Sequence, residues 1–142
     1  MADGFNLGRF EAAQAPVITQ VMRELRAGDK RSHWMWFVFP QLAGLGHSPM
    51  AQRYAISSLD EARAYLAHSV LGPHLVECTG LVNAVEGRSV HAIFGSPDDM
   101  KFRSSMTLFA RAAPDEPVFR TALDRYFGGG EDPRTVELLG AG

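Results

Sequence analysis

The sequence predicts a compact all-α (mainly helical) domain of about six to eight helices. Three observations point there. Apolar residues recur at helical spacing in most segments. The breaks between segments carry capping residues, prolines and glycines where helices start and stop. No stretch alternates with the period of two that a half-buried strand needs. With 142 residues, 46% of them apolar and 21% charged, the chain is long enough to bury one core and reads as a single domain over residues 1–142.

The elements follow in order. Asn6 is placed to cap a helix from Leu7, with Phe5 and Phe10 as a hydrophobic staple. Phe10, Val17, Val21 and Leu25 then share one face, and Gly28 suits the stop. Pro16 removes a backbone donor inside that span, which predicts either a kink or two helices with Pro16 in the first turn of the second. The run "HWMWFVF", residues 33–39, fits a buried helix or a strand equally, and Pro40 pushes Phe39 towards extended backbone in either case. Ser58-Leu59-Asp60-Glu61 is a capping box for a helix running to about His68. Gly72-Pro73 restarts a helix with Pro73 in its first turn, and Gly87 ends it. Ser96-Pro97-Asp98-Asp99 starts another, with two acids where the helix dipole favours them, continuing through "MKFRSSMTLFARAA". Asp115 opens a helix with Phe119, Leu123, Tyr126 and Phe127 as its buried stripe, ended by Gly128-Gly129-Gly130. Asp132-Pro133 starts a short final one. No internal repeat, low-complexity tract or linker interrupts the series.

Composition excludes several classes of function. The net charge of −2 carries no basic surplus, so no nucleic acid and no acidic membrane surface is expected as a partner. Lys30 and Arg31 are a local basic pair only. Cys78 is the sole cysteine, which rules out an intramolecular disulfide and a thiol-rich metal site and fits a reducing compartment. Inside its helix, between apolar neighbours, it reads as an inert buried thiol. The first residues lack the pattern of a secretory signal, and the longest apolar run, Trp34 to Phe39, has six residues against the ~20 that span a bilayer. A cytoplasmic location is expected. The histidines at 33, 47, 68, 74 and 91 show no metal-ligand spacing, so no metal is expected. There is no P-loop, G-x-G-x-x-G or G-x-S-x-G, and no cofactor is expected.

Two constellations could carry chemistry. In "GDKRSHWMWFVFPQLAGLG", residues 28–46, Lys30, Ser32 and His33 stand against Trp34 and Trp36. An indole offers a flat apolar face and an N–H donor, a cation can hold a phosphate or carboxylate, and an imidazole can exchange a proton near neutral pH. Gly44 and Gly46 would allow close backbone approach, to a ligand or in a plain tight turn. The competing reading makes Trp34, Trp36, Phe37 and Phe39 core, with Ser32 a cap and Lys30 solvated. In the second constellation Asp98, Lys101 and Ser105 share one helical stripe beside an apolar stripe of Phe102, Met106, Phe109 and Ala113. Either Asp98 and Lys101 form a surface ion pair, or Lys101 and Ser105 project into the same pocket as His33. Gln41 and Tyr54 could add hydrogen bonds to a polar ligand, or merely cap and pack.

With "KRSHWMWFVFPQLAGLG", "YAI", "YLAHSVLG", "FGSPDDMKFRSSMTLF" and "DRYFGGGEDPRTVELL" together, the chain resembles the bacterial domain of unknown function 1810 family from about Phe5 to Leu139. The resemblance implies a compact, mainly α-helical single domain and no established activity. Pro16 departs from the family pattern. A loose likeness in size and helical character to the NADAR family, which acts on N-glycosidic bonds of ADP-ribose derivatives, makes a glycosidic hydrolase thinkable, with no residues carried over.

Two functional readings follow. In the first, the protein binds or processes a small polar, nucleotide- or ribose-like ligand. His33 and Lys101 would be its catalytic groups, and Lys30, Ser32, Trp34, Trp36, Gln41, Tyr54 and Ser105 its ligand-binding residues. In the second, it is a non-catalytic interaction module with an aromatic groove. Nothing in the sequence signals an oligomeric state.

Overall fold

The computed structural model describes residues 4–141. It is built from α1 (Gly8–Gln14), α2 (Ile18–Arg26), α3 (Met35–Val38), α4 (Pro49–Arg53), α5 (Leu59–Ala67), α6 (Leu71–Asn83), α7 (Val90–Phe94), α8 (Asp98–Ala112), α9 (Pro117–Phe127) and α10 (Pro133–Ala141). Three of these, α3, α4 and α7, have five residues or fewer, and the rest are full helices of seven or more. Among the described residues extended backbone pairs only at an isolated bridge between Leu42 and Ile56. There the Ala43 N–H donates to the Ile56 carbonyl at 2.8 Å, and the Ile56 N–H to the Gln41 carbonyl at 2.9 Å. The fold is all-α.

Local chemistry explains most boundaries. Two helices form rather than one kinked helix, but Pro16 stands in the turn between α1 and α2, ahead of the Val17 N-cap, and not in the first turn of the second helix. Gly28 closes α2 at φ +68, in the left-handed region, where a Cβ would also come within 2.9 Å of Val85 Cγ1. The aromatic run forms the single turn α3, and Phe39 leaves it at φ −122 and ψ 71, as the following proline requires. Ser58 caps α5 by accepting the Glu61 N–H at 3.1 Å. The Glu61 carboxylate, however, turns inward and accepts from Ser57 and Arg9, so only half of the capping box forms.

Three expected caps are corrected. Asn6 sits at φ +56 and offers its carbonyl to Arg9, while Leu7 stands at the N-cap of α1 without a side-chain bond. At α8 the N-cap is Pro97, again without a side-chain bond, and the Asp99 N–H is taken by the Gly95 carbonyl at 2.8 Å. At α9 the capping side chain is that of Glu116, not Asp115. Asp132 does cap α10, accepting the Thr135 N–H at 2.9 Å and the Thr135 hydroxyl at 2.6 Å.

The buried apolar side chains form one cluster with α8 at its centre. This helix packs against α5, α7, α9 and α10, while α6 packs against α2, α5 and α9. Enclosure from four sides leaves Ser104 to Ala110 buried without a break, so α8 has no polar face over that span. Aromatic contacts run through the same region: Phe39 meets Phe102 edge-on at 5.1 Å, Phe94 stacks on Phe102 at 4.8 Å, and Tyr65 meets Phe109 at 5.4 Å. A buried polar bridge ties α1 to this core. Gln14 donates to the Phe37 carbonyl at 2.6 Å and to the Tyr65 hydroxyl at 3.0 Å, and its Oε1 pairs with His74 Nδ1 at 2.8 Å.

Candidate functional site

The site begins with α2, which delivers Glu24 to the loop before α3. Glu24 is only 4% exposed, and its carboxylate gathers five donors. They are the backbone N–H groups of Arg31 (2.8 Å) and Ser32 (3.1 Å), the Ser32 hydroxyl (2.6 Å), the Trp34 indole N–H (2.9 Å) and the Gln20 amide (2.8 Å). Burial alone would raise its pKa. The hydrogen bonds from Ser32, Arg31, Gln20 and Trp34 together outweigh that penalty and bring it from 4.5 down to about 2. This carboxylate shapes the loop that holds Lys30, Ser32 and Trp34, and sequence reasoning missed it.

The consequence for two expected site residues is direct. Trp34 is 1% exposed with its N–H committed to Glu24, and the Ser32 hydroxyl is committed likewise. Neither has a side-chain donor left for a ligand. Lys30 is also largely enclosed: its ammonium lies 2.9 Å from Asp98 Oδ2, donates to the Ser32 carbonyl at 2.7 Å, and stands 5.1 Å from the centre of the Trp34 ring. Ser105 is wholly buried and its hydroxyl has no partner, because α8 is packed on every side at that point.

The structure does bring residues 30–36 and the start of α8 together. Asp98 joins them, holding Lys30 through one oxygen and approaching Lys101 through the other at 3.7 Å. Lys101 is the looser and more open partner, with a quarter of its side chain exposed, and its ammonium stands 5.4 Å from the centre of the Trp36 ring. Trp36 is half-buried and lines a tight crevice of about 10 Å³, room for one water molecule at most, together with Gln41, Gly44, Gly46, Ala51 and Tyr54. The bridge to Ile56 fixes the Gln41 backbone at one wall. Gly46 lies so close to α4 that a Cβ there would come within 2.6 Å of the Ala51 Cβ, so packing of the loop on α4 accounts for this glycine. Among the described residues, the Trp36 indole N–H, the Gln41 carboxamide and the Tyr54 hydroxyl have no intramolecular hydrogen-bond partner. His33 is exposed and likewise unpartnered, and it does not line the cleft.

A second, roomier hollow of about 480 Å³ lies between the first turn of α5 and the end of α10, lined by Leu42, Ser57, Arg63 and Leu138 among others. No sequence motif marks it, since it arises only when the C-terminal helix docks near residues far away along the chain. Among the described residues no group of three or more histidine, cysteine or acidic side chains could hold a metal ion, and no helix is long and apolar enough to cross a membrane. Cys78 is buried and its pKa is pushed up to about 12, chiefly by desolvation and further by the charge of Glu77.

Fold and site together define a small all-helical protein with a tight crevice lined by a half-buried indole, whose ring has an ammonium 5.4 Å from its centre. Residues 4–139 match the model of the family described as protein of unknown function DUF1810, and the chain belongs to that family. It is similar to a conserved hypothetical protein, Rv1873 from Mycobacterium tuberculosis, known from a crystal structure at 1.38 Å. The two are 65% identical, with a TM-score of 0.96, and the match covers 97% of this chain and 99% of the other. No curated protein matches this chain.

Proposed function

We propose that the protein binds a small polar ligand, of nucleotide or ribose-phosphate character, at the cleft beside Trp36. The observation that carries this reading is the concentration of unpartnered polar groups around one half-buried indole: the Trp36 N–H, the Gln41 carboxamide and the Tyr54 hydroxyl. Polar groups facing a cleft without internal partners are available to a ligand, and an exposed edge of a tryptophan suits a planar ring. Lys101 supplies the positive charge for an anionic group, because Asp98 is already held more tightly by Lys30. The crevice itself holds no more than a water-sized group, so the ligand would lie across its mouth against the Trp36 ring rather than inside it. The aromatic-groove reading has less support: among the described residues the exposed large hydrophobics are Phe5 and Met100, and neither belongs to the run.

A thermal-shift screen against nucleotides, ADP-ribose derivatives and sugar phosphates tests the proposal. A ligand at 100 times its Kd stabilises by about 2.7 kcal/mol. Lys101→Gln should remove that shift and leave the unliganded protein within ~0.5 kcal/mol of the parent, since the loose exposed pair it breaks contributes little. A shift that survives both Lys101→Gln and Gln41→Ala would place the ligand elsewhere.

A further inference from the structure

The turn between α6 and α7 and the end of α9 border a separate, open depression of about 490 Å³, lined by Arg88, Ser89, Arg125 and Tyr126 among others. No carboxylate lines it, and among the described residues neither arginine has an acidic partner. Both guanidinium groups are instead anchored by backbone carbonyls. Arg88 donates through Nε to Gly28 at 2.8 Å and through Nη2 to Ala92 at 3.0 Å, and Arg125 donates through Nη2 to Val85. Val85 ties the two together: its side chain lies against Gly28 beside the Arg88 stem, while its carbonyl holds Arg125. Tyr126, itself fixed by donating to the Val82 carbonyl, places its ring centre 5.5 Å from the Arg125 guanidinium. The Ser89 hydroxyl accepts from the Ala92 N–H at 3.0 Å and keeps its own proton to donate.

Most N–H donors of the two exposed arginines thus remain free, while two bonds orient the Arg88 guanidinium and one tethers that of Arg125. An arginine fork matches phosphate bidentately, and two forks plus a hydroxyl offer more donors than the two oxygens of a carboxylate can use. We propose that this hollow binds a phosphate group, either free or carried on a small metabolite. The anchoring bonds to backbone carbonyls reduce the conformational freedom that these side chains lose on binding.

Titration of 15N-labelled protein with inorganic phosphate and with glycerol 3-phosphate, at constant ionic strength held by sodium chloride, tests this. Saturable shifts are expected at the amides of Gly87 and Ser89 and at Arg125 Nε. Tighter binding of the ester identifies a metabolite, and equal binding identifies free phosphate. Arg125→Gln should weaken binding at least tenfold with the melting temperature unchanged, and Arg125→Lys should not restore it because the fork is lost. Arg88→Gln also removes an anchor of the α2 terminus, so Arg125 carries the test. Shifts that grow linearly and equally with chloride, or that persist in Arg125→Gln, overturn the proposal.

Discussion

At the scale of single residues, Glu24 controls how the site region is built. Its folded pKa lies below its unfolded value, so its stabilisation is fully present above pH 4.5 and is lost as the pH falls through about 2. That drop corresponds to about 3 kcal/mol. Glu24→Gln, which sets an amide among five converging donors, should cost about 2–4 kcal/mol and flatten the acid side of a stability-against-pH curve from urea unfolding. His74 acts in the same direction at higher pH. Burial lowers its pKa more than Glu77 and Glu11 raise it, so its neutral form is favoured in the fold and stability falls as the pH drops below 6.5. Ser105 predicts the opposite sign for a substitution. Its hydroxyl is buried without a partner, so Ser105→Ala should be neutral or stabilising by up to ~1 kcal/mol in a denaturant titration. None of these burials could be read from the sequence. Glu24 looks like one more acid on a helix, and its donors lie up to ten positions further along; Ser105 shares a stripe with Asp98 and Lys101, yet it is wholly buried.

At the scale of elements, the long helices were legible because their ends are punctuated. Ser58, Pro73, Gly28, the glycines from 128 and Asp132 each act where local chemistry places them. The short helices α4 and α7 were not, although Ser48 and Ser89 cap them, because five residues hold too little periodicity to register. The aromatic run was ambiguous for the same reason, and tertiary packing decides it as one helical turn. Gly28 provides the element-scale prediction. Gly28→Ala forces a Cβ against Val85 at a left-handed backbone position, and should destabilise by about 1–3 kcal/mol in equilibrium unfolding. It should also loosen the Arg88 anchor.

At the scale of the whole molecule, the structure joins segments that the sequence could only set side by side as hypotheses. Asp98 links Lys30 to Lys101 across nearly seventy residues, and the two lysines stand over the two indoles. The indoles then divide the work: Trp34 is sealed and bonded to Glu24, while Trp36 keeps an edge towards the cleft. Trp34→Phe should therefore cost about 1–3 kcal/mol by leaving Glu24 short of a donor, with calorimetry as the check. Trp36→Phe should cost less, and should remove ligand binding if the proposal for the cleft is right.

The two indole N–H resonances make each molecule its own control for the central claim. Titration of labelled protein with the best compound from the thermal-shift screen should move the Trp36 indole signal saturably and leave the Trp34 signal, hydrogen-bonded to Glu24, in place. A Trp36 signal that stays fixed while a compound binds and stabilises the protein would contradict the assignment of the cleft as its binding site.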